Sequence, residues 1–282
     1  MKIFRQENFN SNHNKIIEQI FIDQSYKKAN LTLTNDIIDP DNFKNTYSSD
    51  EIEEDKKYVQ EKEKLFIQQE NPEKFNAKKI AVILEGILHE HSELSEWLGH
   101  NVFTIKTSRF DDIKNGIDMV AEFVEDEQSA SHLGLAIDAT FSSEIGKKFE
   151  RIKQEIKQGK LAQIKYFQSD HTGVQKKLSK IPRIIIGADV KTIKELGKLW
   201  LNNKNKELGT HPIQFQILEE ILIQLKAFEK YAQKYNQKEI AEIYQTTYKK
   251  IKEIYQNKQQ SLNDDEVRDS MFYNIKYNVE RL

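Results

Sequence analysis

Two aspartates stand inside segments that otherwise read as β-strands. Asp118 lies in Gly116-Ile117-Asp118-Met119-Val120-Ala121-Glu122-Phe123, and Asp138 in Leu133-Gly134-Leu135-Ala136-Ile137-Asp138-Ala139-Thr140. Aspartate is depleted in strands, and a bare buried carboxylate is costly. Two of them on successive short strands call for a compensating charge, which a divalent cation would supply. Each also has a plainer reading. Asp138 could bond backbone amides at a strand-to-helix turn, and Asp118 could belong to the turn that Gly116 begins.

Other motifs are weaker or absent. His89 and His91 are two apart and point to different faces of a helix, which argues against zinc. Asp170-His171-Thr172-Gly173 reads as a loop between strands in which His171 has no visible partner. There is no phosphate-binding glycine loop and no Gly-x-Ser-x-Gly. The tyrosines of the C-terminal part (Tyr231, Tyr235, Tyr244, Tyr248, Tyr255) suit helix packing better than base stacking.

Composition narrows the class. The chain has 282 residues, 31% charged and 38% apolar, with no cysteine. Disulfides, thiolate zinc sites and thiol nucleophiles are therefore excluded. No apolar run approaches the ~20 residues of a membrane span, and the N-terminus lacks the layout of a signal peptide, so the expectation is a cytoplasmic protein without membrane contact. The net charge of −2 hides an asymmetry. Residues 35–75 hold 12 acidic and 6 basic side chains, whereas residues 147–198 hold 14 basic and 5 acidic ones. Such a basic segment is either a polyanion footprint or a solvated lysine-rich surface.

The elements that must position these groups follow from periodicity. Residues 1–75 read as an N-terminal helical arm with an acidic linker: a short amphipathic helix near Lys15–Phe21, a polar, mobile stretch from Asn35 to Asp50, and a charged helix to Gln69. Residues 76–205 read as the core. Asn76 caps a helix carrying Ile80, Ile83, Leu84, Ile87, Leu88, Leu94 and Leu98, and Gly99 ends it. An alternating strand at Asn101–Thr107, a polar connection from Ser108 to Gly116, and the two aspartate-bearing strands come next. Ser142 or Ser143 caps a helix to Gln158, strands at 162–167 and 183–187 follow, and Asp189 caps a last helix. Residues 206–282 form an all-helical extension, offering a surface for a homodimer or a protein partner. The expected class is α+β, with a central mixed sheet in an α-β-β-β-α-β-β-α core.

A helix, a three-strand meander, a helix and a further strand, with acids on the second and third strands, resemble the core of the PD-(D/E)XK nuclease-like superfamily, the restriction-endonuclease-like group. The resemblance covers about Asn76 to Asn203 and rests on element order and acid placement. It implies a fold built around a Mg²⁺ (or Mn²⁺) site in which Asp118, Asp138 and the carbonyl of Ala139 hold the metal. It also implies a glutamate from the first helix, for which Glu85 is preferred over Glu93 and Glu96. The Asp111-Asp112 pair is a further, less favoured ligand source. The family's lysine, two residues after the second acid, is replaced here by Thr140. Lys147 and Lys148, early in the following helix, are the first substitutes, and Lys165 is another.

What the resemblance implies is a metal-dependent nuclease acting on nucleic acid, DNA before RNA. Two rival readings stand beside it. One is a nuclease-like fold that has lost cleavage and binds nucleic acid or protein, favoured by Thr140. The other is a helical scaffold for a partner protein.

Overall fold

The computed structural model describes residues 2–126, 129–138, 143–262, 264 and 267–282, with side chains outside 2–15, 136–138 and 143–144. The chain begins with α1 (Lys2–Asp36), a 3₁₀ turn (Pro40–Phe43), α2 (Ser49–Gln68) and α3 (Pro72–Leu94). Then come β1 (Val102–Lys106), α4 (Arg109–Asn115), β2 (Met119–Val124), β3 (Ala130–Asp138) and α5 (Ser143–Lys157). A third group comprises β4 (Ala162–Gln168), β5 (Gln175–Ile181), β6 (Arg183–Gly187), α6 (Val190–Leu201) and α7 (Asn205–Gly209). Three helices close the chain: α8 (Ile213–Lys234), α9 (Lys238–Ser261) and α10 (Ser270–Glu280). The class is α+β with a mixed central sheet, as the periodicity predicts, and no described helix is long and apolar enough to cross a membrane.

The main sheet has the order β1-β2-β3-β6. β1, β2 and β3 form an antiparallel meander, and β6 joins β3 in parallel after the α5 crossover. Strands β4 and β5 make a separate antiparallel pair, packed through Ile164, Phe167, Leu178 and Ile181 onto Ile105 and Val120. β5 escapes the sequence reading because only Leu178 and Ile181 are buried in a run otherwise made of exposed Lys and Ser.

Other segments differ from expectation: α1 runs from Lys2 to Asp36 rather than as a short helix near Lys15–Phe21, and α3 ends at Leu94 rather than at Gly99. The Ser108–Gly116 connection contains α4, capped by the Ser108 hydroxyl and stopped by Gly116 in the left-handed region at φ 66°. α3 starts earlier than Asn76, because the Asn71 side chain accepts from the Lys74 amide with Pro72 in the first turn. The stretch read as a mobile linker is tied down: Ile38 N–H donates to the Lys106 carbonyl, and Phe43 is fully buried against Tyr166.

The arm is part of the same packing. Asp23 meets Lys79, Ala29 meets Gly86 and Asp36 meets His89, so α1 and α3 run side by side in the same direction. A Cβ on Gly86 would lie 2.8 Å from that of Ala29, and this contact needs glycine.

The open edge of β6 is covered by side chains of α8. Gln224 accepts from Ile185 N–H and donates to Ile185 C=O. Glu220 accepts from Gly187 N–H, and Gln216 donates to Gly187 C=O. These two amides and one carboxyl take the place of a fifth strand. Burial holds the Glu220 carboxyl well above the ordinary glutamate range. Gln224→Leu strands both polar groups of Ile185, so equilibrium urea unfolding should show a loss of about 2–5 kcal/mol.

Candidate functional site

Lys106, the last residue of β1, is only 6% exposed, and its ammonium lies 3.0 Å from Glu85 of α3. The alternation of β1 carries it inward with Met119 as its cross-strand neighbour. Burial draws the Lys106 pKa down, but Glu85, Asp112 and Asp118 outweigh it and hold the ammonium above the ordinary lysine value. Asp112 Oδ2 stands 3.9 Å from the same ammonium and 2.6 Å from Arg109 Nη1. Arg109 in turn reaches Glu63 of α2 at 2.7 Å.

Asp118 enters this cluster from the turn before β2. Its amide donates to Leu135 C=O, and its carbonyl accepts from Thr107 N–H and Oγ1. The turn is clamped from its other side as well. Arg151 Nη2 donates to Lys114 C=O at 2.9 Å, and Arg183 donates to Asn115 C=O. Glu155 bridges the two guanidiniums, at 3.2 Å from Arg151 and 2.8 Å from Arg183. The Arg151 guanidinium fills the space where a Cβ on Gly116 would stand. Burial pushes the Asp118 carboxyl up to about 7, and the charges of Asp112 and Glu85 add to it while Lys106 and Lys148 oppose it.

Of the residues singled out from sequence, Glu85 and Asp118 are brought together, and Lys148 acts on Asp118 through its charge. Lys147 is exposed on the first turns of α5. Asp138 is the last residue of β3 and pairs with Gly187, so it lies on the strand next to Asp118. Its side chain, and Ala139 and Thr140 altogether, lie outside the described residues. Lys165 is committed elsewhere, to Asp55 at 2.6 Å and Glu51 at 2.7 Å. His89 bonds Thr104 and Asp36, and Glu96 pairs with His100. Asp111 is fully buried and accepts from the backbone amides of Lys165 and Tyr166, a structural role.

Lys106 and Asp112 are the members that sequence reasoning missed or discounted. The available signal for Lys106 was a lysine at an inward position of an alternating strand, which needs a buried acid to explain it.

A cleft of about 520 Å³ opens beside Lys106, walled by Asp36, His89, Glu93 and Asp170 among others. Burial pushes the Asp170 carboxyl up to about 6, and Glu93 and Glu122 reinforce this. That side of Lys106 is acidic. Among the described residues no three carboxylate or imidazole groups come close enough to hold a metal ion. Compared with family models, curated proteins and solved structures, the chain finds no match.

Removing one partner of the buried pair should be severe. Lys106→Met leaves Glu85 buried without its cation and should cost about 3–5 kcal/mol in urea unfolding. Lys106→Met with Glu85→Leu should regain most of that loss, and a coupling energy near zero in the four-member cycle would contradict the pairing.

Asp118 gives a pH signature in EDTA. Its folded-state pKa of about 7 exceeds the ordinary 3.8, so the native state holds the proton that the unfolded state has released between those values. The stability this provides is complete below the lower value and is lost as pH rises through the upper one. Asp118→Asn should therefore melt higher than the parent near pH 8, with the gap closing towards pH 4. A constant gap across that window would show that Asp118 titrates normally.

Proposed function

We propose that the chain is a metal-dependent nuclease of the PD-(D/E)XK type in which Lys106, on β1, takes the part of the displaced signature lysine. The observation that carries this reading is the convergence of Glu85, Lys106 and Asp118 from α3, β1 and the entry to β2. The order of the main sheet, a meander followed by a parallel strand after a crossover through α5 and the β4–β5 pair, supports it too.

The residues fit Mg²⁺ or Mn²⁺ by donor type. Asp118 offers hard oxygens in a setting where burial, with the charges of Asp112 and Glu85, favours the protonated carboxyl, so a cation beside it would relieve a real cost. Mg²⁺ needs only one or two carboxylates beside water. Asp118 and Asp138, with the carbonyl of Ala139, would hold it. When bound, the ion would polarise the scissile phosphate and lower the pKa of the attacking water.

The chain's own groups do the rest. An ammonium has three donors, so Lys106 can keep Glu85 and still donate to the attacking water or a phosphate oxygen, where negative charge grows in the transition state. Glu85 fixes the direction of that ammonium. Lys148 adds positive charge beside Asp118 on the α5 side, where the phosphate backbone would lie. DNA is the first substrate to test, by analogy with the family.

The test uses the full chain with labelled single-stranded DNA, duplex DNA and RNA, in Mg²⁺ and in Mn²⁺. Cleavage by the parent should fall by about 10²–10³-fold in Asp118→Asn, while nucleic-acid binding in EDTA is kept. Mn²⁺ should raise the melting temperature of the parent and not of Asp118→Asn. Binding without cleavage under either metal would replace the nuclease by a nuclease-like binding module, which Thr140 favours. Failure to bind any nucleic acid would favour a protein scaffold.

A further inference from the structure

We infer that the substrate strand next to the site is single-stranded or splayed, held on a short track from Lys148 through Arg151 and Lys114 to Tyr58. The inference rests on the nuclease reading for its starting point, Asp118, but not for its evidence. Lys148 and Arg151 are three apart on α5 and share a face. Lys148 acts on Asp118. Arg151 is 42% exposed at its side chain and donates to the carbonyl of Lys114. Lys114 is exposed, and its ammonium lies 4.8 Å from the centre of the Tyr58 ring on α2. Lys114 and Asp118 are four positions apart in the chain, so their backbones are at most about 14 Å apart.

Cations that follow a phosphate backbone, ending at an aromatic ring, are the parts of a single-strand site. Tyr58 is half-buried, with its position fixed by edge contact to Phe110. What lies over its ring is the flexible ends of Lys114 and Lys62. A lysine that leaves the ring for a phosphate frees the face for a base, and the π-face accepts any base. A paired base inside a duplex has no free face to offer. Glu54 and Glu61, one turn to either side of Tyr58 on α2, are exposed and oppose phosphates there. The track therefore ends at Tyr58 and spans a few nucleotides only.

Fluorescence anisotropy in EDTA tests this apart from cleavage, with a labelled single-stranded oligonucleotide and its duplex on the full chain. The parent should bind the single strand at least tenfold more tightly. Tyr58→Ala should weaken single-strand binding roughly 5- to 100-fold and leave duplex binding unchanged. Tyr58→Phe should bind like the parent, because the phenyl ring keeps the stacking face, and the unchanged duplex binding of Tyr58→Ala is what a general structural loss would not give. Lys114→Ala should shallow the salt dependence by about 0.7 on a log–log plot. Equal affinity for single strand and duplex, or an unchanged Tyr58→Ala, overturns the track. Neither result bears on Asp118-dependent cleavage. Conversely, Tyr58-dependent binding without cleavage keeps the track and sinks only the nuclease.

Discussion

A lysine ammonium brought almost wholly out of water must be met by carboxylates, and in this fold that requirement fixes more than the pair itself. Lys106 ends β1 with its side chain on Glu85 and its carbonyl on the Ile38 amide. The next residue of α3, Gly86, is where Ala29 of α1 approaches too closely for any side chain. One step along α3 therefore sets both the ion pair and the docking of the arm. Sliding α3 by a single residue would strand a buried charge and drive a Cβ into α1. A buried ion pair adds little net stability, since desolvation offsets its attraction, but breaking it is expensive. Its effect here is to specify one register among helix, strand and arm.

The same economy applies to the turn that carries Asp118. A carboxylate whose burial favours its protonated form would be relieved by any movement towards solvent. Thr107 holds the turn from β1, while Arg151 and Arg183, joined by Glu155, hold it from α5 and β6. Gly116 makes room for Arg151 and supplies the left-handed cap of α4. Three elements, the end of β1, α5 and β6, thus meet on a turn of three residues and the helix end before it. Such over-determination keeps a destabilised group in place, and it is found where a group must stay available for a ligand or for chemistry.

The sequence made some of this legible and hid the rest for definite reasons. The helix stripe before β1, the meander, the crossover and the Asp189 cap all rest on local pattern, and all are present. Asp118 and Glu85 were visible because acids at strand-like or stripe-edge positions conflict with local preference. Lys106 was not, because a lysine at a strand end looks solvated until its partner is known, and that partner is 21 residues away on another element. Lys165 looked available for the opposite reason. Its partners, Glu51 and Asp55, sit in an arm that reads as an appendage, although Phe43, Ile52 and Tyr166 pack that arm onto β4. The amides that cover β6 were hidden because buried Gln and Glu on α8 are indistinguishable from a polar helix face until the strand edge is beside them.

Folding also changes the meaning of the charge asymmetry. Fourteen basic residues between 147 and 198 look like a large polyanion footprint when set against the acidic 35–75 segment. Folded, at least five of the fourteen are paired within the chain. Lys165 closes onto α2, Lys194 onto Glu18, Lys180 onto Glu239, Lys153 onto Glu150, and Arg183 onto Glu155. Opposite blocks far apart in the chain are thus partly a device for docking the arm and α9 on the core. On the proposed reading, the cations that would bear on a nucleic acid are the few around Asp118, not the block as a whole. Binding through them should depend on salt as a handful of phosphate contacts does, far less steeply than a fourteen-charge surface would. A weak electrostatic hold leaves affinity to be gained from contacts that charge counting does not reveal, and a stacking ring at the end of a short cationic path is one of that kind.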